Sequence, residues 1–166
     1  MELGLRGVAH RLRAWAIGIS VLGMSAGMSV LPLHVHAQTQ VAYQMEPLVV
    51  RNDRGGLLRD RLRQISELRQ QNRPVEIRGS VCFSTCTMFL GLPGTCISPR
   101  TTFGFHGPSS YGRALDPVTF NRASRVIASY YPEPLQSWYM DKGRFKIRSI
   151  QRVKGKQIID MGVPAC

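Results

Sequence analysis

Residues 79–108 read GSVCFSTCTMFLGLPGTCISPRTTFGFHGP, and this stretch decides the fold. It carries Cys82, Cys86 and Cys96, with Ser84 among small residues and His106 closing the apolar run Phe103-Gly104-Phe105. A short run from Gly79 leads to Ser84, and residues 85–90 form a helix-like apolar segment. Residues 91–94 make a turn. Residues 95–98 and 102–105 are short strands around Pro99.

Working outward towards the N-terminus, residues 47–50 give a short buried-strand signal, ended by Arg51-Asn52-Asp53-Arg54 and then Gly55-Gly56. Residues 57–71 predict an amphipathic helix with Leu58, Leu62, Ile65 and Leu68 on one face and Arg59, Arg63 and Glu67 elsewhere. Asn72-Arg73-Pro74 stops it, and residues 75–78 read as a second strand. Strand, helix, strand in this order predicts two parallel strands joined by a right-handed crossover. A further short strand is expected over 41–43.

Beyond the central stretch, residues 109–112 form a loop. Asp116-Pro117 opens a helix with Pro in its first turn, carrying Phe120, Ala123, Val126 and Ile127 inward. Pro132 and Pro134 break it, residues 135–140 restart it with Trp138 packing, and residues 151–161 read as a last short helix ended by Gly162. Repeats and low-complexity linkers are absent. The expected fold class is one α/β domain.

The first 37 residues read as a secretory leader. Arg6, Arg11 and Arg13 give a basic start, residues 14–31 are apolar and small, and Val35-His36-Ala37 places small residues before a cleavage point after Ala37. The apolar run, with its glycines and serines, is weak for a spanning helix, which wants about 20 strongly apolar residues. The domain proper is then residues 38–166, exported to the periplasm or secreted. The whole chain carries a net charge of +12, and losing Arg6, Arg11, Arg13 and Glu2 leaves +10. The arginines are scattered along helices rather than interleaved with aromatics, and export argues against a nucleic acid partner. Peripheral contact with an anionic envelope surface suits this charge.

All four cysteines, Cys82, Cys86, Cys96 and Cys166, lie after Ala37. An even count in a small exported domain predicts two disulfides, for which spacing alone allows three connectivities. Cys82-x-x-x-Cys86 is also a metal-like spacing. Only His106 among the histidines lies beyond the leader, however, and no metal site is expected.

Acyl-transfer chemistry needs a hydroxyl or thiol nucleophile, a base within reach, and backbone amides aimed at the developing oxyanion. Gly55-Gly56 sits between a strand and a helix, where bare amides point outward and the helix start adds partial positive charge. Ser84 stands at the next strand-to-helix junction, and His106 at a strand end. Gly-x-Ser-x-Gly, the elbow of α/β-hydrolases, is absent. A plain reading of Ser84 is a helix cap, and of His106 a packed histidine.

Asn52-Asp53-Arg54-Gly55-Gly56, a helix, a strand, Ser84 opening a helix, and Pro99-x-x-x-Phe-x-Phe-His106 together resemble the Clp protease/crotonase superfamily. The chain is especially similar to exported members with a Ser-Ala-Cys-Thr motif, here Ser84-Thr85-Cys86-Thr87. The resemblance covers residues 48–162 and implies a small core of βαβ units with C-terminal helices. It implies Ser84 as nucleophile, His106 as general base, and Gly55 and Gly56 as the oxyanion turn, acting on a peptide or protein. No metal or organic cofactor is implied; coenzyme A, used by many crotonase relatives, is not expected outside the cytoplasm. The resemblance suits a homo-oligomer. The chain departs from the family where the orienting acid is expected: Ser149, Ile150, Gln151 and Arg152 supply no carboxylate. Asp141 is the nearest earlier candidate and Asp116 a remote one. The missing acid leaves a second expectation open, a non-catalytic member acting as a binding or assembly component of the envelope.

Overall fold

The computed structural model describes residues 45–166. The expected leader at 1–37 and the short strand at 41–43 lie outside the described residues.

Strand β1 (Leu48–Asp53) leads through the Gly55-Gly56 turn into helix α1 (Leu58–Gln70), and β2 (Val75–Phe83) follows, parallel to β1. Both strands outrun their sequence signals. Val49 and Val50 continue through the polar Arg51, Asn52 and Asp53, and β2 runs past Arg78 to Phe83. The register slips between Val50 and Asn52, where Gly79 lies so close to the Arg51 carbonyl that any Cβ would overlap it. A glycine there lets the strand pair through an irregularity instead of ending at it.

Ser84–Gly91 is a 3₁₀ helix, buried on every side from Thr85 to Leu90. It touches α1, β2, β4 and α2, so much of the domain is packed around it. Strands β3 (Cys96–Ile97) and β4 (Thr102–Phe105) both run parallel to β2. The first pairs with its beginning at Glu76 and Ile77, the second with its end from Val81 to Phe83. The short strands expected on either side of Pro99 are therefore two successive partners of one long strand.

Helix α2 (Pro117–Ala128) is capped by Asp116, whose Oδ1 accepts the Val118 and Thr119 amides at 3.1 and 3.0 Å. Ser124, Ile127 and Ala128 are its buried residues. Phe120, Ala123 and Val126 are only half-buried, because the buried stripe is rotated from the expected one. Helix α3 (Glu133–Asp141) buries Leu135 and Tyr139. Phe105, Tyr131, Trp138 and Tyr139 meet edge to face with centroids 5.2–5.6 Å apart. Such pairs add about 1 kcal/mol each beyond area burial.

The last expected helix, 151–161, divides in two. Gln151–Lys154 is strand β5, antiparallel to β4, and only Gly155–Asp160 is helical (α4). The sheet order is β1-β2-β4-β5, with β3 also on β2. Val50, Ile77, Cys82, Phe103, Phe105 and Val153 all belong to one buried cluster with Met88, Phe89 and Ile158. The class is α/β with a mixed sheet, and the described residues 45–166 belong to one compact unit. No helix among the described residues is long and apolar enough to cross a membrane.

The cysteines pair Cys82 with Cys86 and Cys96 with Cys166, which selects one of the three connectivities. The second bridge fastens the chain end to β3. There Ile97 N–H donates to the Pro164 carbonyl at 2.9 Å, and Cys166 N–H donates to the Ile97 carbonyl at 3.1 Å.

Candidate active site

Ser84 stands at the end of β2, where the chain changes from extended strand to 3₁₀ helix, and its φ is +56°. Among the described residues only Asn72 and Tyr111 share a positive φ without being glycine. Asn tolerates that region through its short amide side chain, and Tyr111 is on an exposed loop. For a serine in a buried junction the conformation costs of order 1–3 kcal/mol and must be held by its surroundings. Two features hold it. The Cys82–Cys86 disulfide straddles Ser84, with both cysteines fully buried. Thr87 Oγ1 donates back to the Ser84 carbonyl at 2.7 Å.

Gly55 lies directly against Ser84. A Cβ on Gly55 would come within 2.4 Å of Ser84 Cβ and 2.9 Å of the Phe83 carbonyl, and Gly55 has φ +89°. The turn is fixed from the other side by Asp53. Its Oδ1 accepts Gly55 N–H at 2.7 Å, and its Oδ2 is ion-paired with Arg61. Arg61 is 9 % exposed, with its guanidinium 4.3 Å from the Phe89 ring centroid, so α1, the turn and the 3₁₀ helix share one anchor. Gly56 N–H donates to Thr85 Oγ1 at 3.0 Å. Both amides of the turn are thus occupied by neighbouring side chains.

His106 follows β4 and is half-buried. Its Nδ1 lies 2.8 Å from the Gly107 carbonyl. A carbonyl only accepts, so Nδ1 is the donor, and in the neutral ring this leaves the lone pair on Nε2. A backbone oxygen here performs the tautomer-fixing task that an acid performs in a triad. Tyr139 Oη donates to the His106 carbonyl at 3.2 Å, holding the strand end from below.

Ser84, His106 and Gly56 line one cavity of about 260 Å³, together with Thr85, Tyr111 and Tyr131. No hydrogen bond joins Ser84 to His106 among the described residues. Tyr131 Oη lies 2.6 Å from Thr87 Oγ1, and burial, with Tyr139 beside it, pushes the Tyr131 phenol well above its usual range. It is a neutral wall of the cavity. Asp141 is exposed at the end of α3 and is not part of the cavity lining. Asp116 caps α2. Cys82 and Cys86 are joined, and no free thiol occurs among the described residues.

Of the residues expected from sequence, Ser84, His106 and Gly56 line one cavity, while Gly55 packs against Ser84 without lining it; Arg61, Thr85 and the Gly107 carbonyl were not anticipated. One signal was available. Arg61 falls on the same helical face as Ile65 and Leu68, and a cation on an apolar stripe needs a buried partner. Comparison with protein-family models, curated proteins and solved structures finds no match to this chain.

Proposed function

We propose that the chain is an exported serine hydrolase, with a fold like the Clp protease/crotonase group and a peptide or protein as substrate. The observation that carries this reading is Ser84 itself. It is a serine in a left-handed backbone conformation, clamped by a disulfide, at a strand end that shares a cavity with a histidine of fixed tautomer. A side chain that served only as a cap would need neither the clamp nor the close glycine turn.

In the reaction Ser84 Oγ attacks an acyl carbonyl while His106 Nε2 takes its proton. The same nitrogen then delivers the proton to the leaving amine as the acyl–enzyme forms, and water reverses the sequence. The Gly56 amide stabilises the oxyanion after Thr85 Oγ1 turns away from it. The arrangement of β1, α1 and β2, with the glycine turn after β1 and His106 after β4, supports the superfamily reading. Two disulfides and a leader-like first 37 residues support export.

A second reading is a non-catalytic member of the same fold, working as an envelope binding or assembly protein. It is favoured by one observation: the Gly55 and Gly56 amides are both already engaged, by Asp53 and Thr85. A fluorophosphonate probe separates the two. Labelling of the exported protein that is lost in both Ser84→Ala and His106→Ala is the expected result. A folded, disulfide-intact protein that never labels would favour the binding role.

A further inference from the structure

A second concave site, of about 400 Å³, is lined by Arg54, next to the same turn, and by residues of β2, β4 and β5. Phe83, one residue before Ser84, lines it together with Val81. The Arg54 guanidinium lies 5.8 Å from the Phe83 ring centroid and that of Arg152 lies 6.0 Å from it. Lys154 Nζ donates to Thr102 Oγ1 at 3.0 Å, which holds the ammonium at the rim. Three cations from two distant parts of the chain therefore face one hollow whose lining contains no carboxylate.

Arg54, Arg152 and Lys154 have no carboxylate partner, as is true of most cations among the described residues; what sets these three apart is that they line one hollow. Asp53, adjacent to Arg54 in sequence, is instead committed to Arg61. Like charges around one concavity raise its potential and favour an incoming anion. Stacking on an aromatic face keeps the guanidiniums oriented while their edges stay free for a carboxylate.

We propose that this pocket binds a carboxylate carried by a peptide chain. The hollow takes one group with an apolar stem, as an aspartate or glutamate side chain has, rather than presenting a flat plane to a membrane. Arg54 directly precedes Gly55, which touches Ser84, so a peptide crossing the turn places an acidic side chain beside the reacting carbonyl. As a statement about substrate this rests on the hydrolase reading. As a statement about binding it does not.

The test uses the exported, disulfide-intact protein carrying Ser84→Ala, so that binding is read without turnover. Its ligands are a capped, fluorescent pentapeptide with a central Glu and the isosteric Gln peptide. The Glu peptide is expected to bind at least about tenfold more tightly at low ionic strength, with the preference falling as salt rises. Arg54→Gln with Arg152→Gln is expected to abolish the preference, and Arg54→Lys with Arg152→Lys to keep most of it. Equal affinity for the two peptides would overturn the proposal, as would a preference that survives the double Gln substitution. Binding to phosphatidylglycerol vesicles that depends on the same arginines, without peptide discrimination, would overturn it in favour of a lipid surface. A Glu preference in a protein whose native Ser84 never labels would leave the pocket standing and remove the hydrolase reading alone.

Discussion

At the scale of single residues, the proposed chemistry rests on Ser84 and the two glycines across from it. Gly55 is required twice over, by φ +89° and by the 2.4 Å approach to Ser84 Cβ, whereas a Cβ on Gly56 meets nothing within 4 Å. Gly55→Ala is therefore expected to destabilise by about 2–4 kcal/mol, combining left-handed backbone cost with overpacking. Gly56→Ala is expected to fall within about 1 kcal/mol of the native protein. Urea denaturation of both variants checks the contrast, and similar midpoints would mean that the turn does not press on Ser84. Thr85 allows a second test at this scale. Thr85→Val keeps the shape but removes the acceptor from Gly56 N–H, so fluorophosphonate labelling is expected to rise several-fold as that amide becomes free. A fall would give the Thr85 hydroxyl itself a part in the reaction. The placement of the candidate residues was legible in the sequence, since Ser84, His106 and Gly55-Gly56 were each expected at a strand end and each stands at one. The partners that occupy the amides were not, because Thr85 reaches Gly56 across 29 positions and only through the fold.

The elements were legible where local chemistry and tertiary packing agree. Residues 57–71 were expected as a helix and Leu58–Gln70 form one, because the apolar stripe and the Pro74 stop act locally. Residues 151–161 were expected as one helix, but Gln151–Lys154 are drawn into the sheet by β4. A four-residue edge strand has too short an alternation to show in sequence. Residues 85–90 were expected as helix-like, and the 3₁₀ form of Ser84–Gly91 belongs to a segment anchored by Cys86 to the preceding strand and by Thr87 to Ser84. At the start of α2, Asp116 carries a pH-dependent contribution. Its carboxylate accepts a hydrogen bond from Thr119, first from the side chain and then from the amide, which lowers its pKa from the usual value. A depressed folded-state pKa gives stability that is present above the unfolded value of about 3.9 and lost as pH falls through the folded value. Asp116→Ala is thus expected to lower the unfolding midpoint at neutral pH, with the gap to the native protein closing below about pH 4. A gap that stays constant to pH 2 would show that the cap owes nothing to ionisation.

At the scale of the whole molecule the two disulfides have separate tasks, and their removal separates stability from reactivity. Cys96 and Cys166 are 70 positions apart, so their bridge restricts a long loop of the unfolded chain and fastens the segment beside β3. Loop-closure entropy puts its contribution at roughly 4 kcal/mol. Cys82 and Cys86 are four positions apart, and the same relation gives roughly 2 kcal/mol. The short bridge contributes less to global stability, yet it encloses Ser84, which the fold holds at a positive φ in the cavity it shares with His106. Cys96→Ala with Cys166→Ala is therefore expected to lower the urea midpoint more, while each folded molecule still labels at Ser84 at the native rate. Cys82→Ala with Cys86→Ala is expected to lower the midpoint less but to slow labelling at least tenfold, because Ser84 is free to relax towards an ordinary backbone conformation. The pairing itself could not be chosen from spacing, since it depends on the end of the chain returning to β3. If the two double variants lost labelling in proportion to lost stability, the short bridge would be one more staple, and the case for a prepared serine would fall with it.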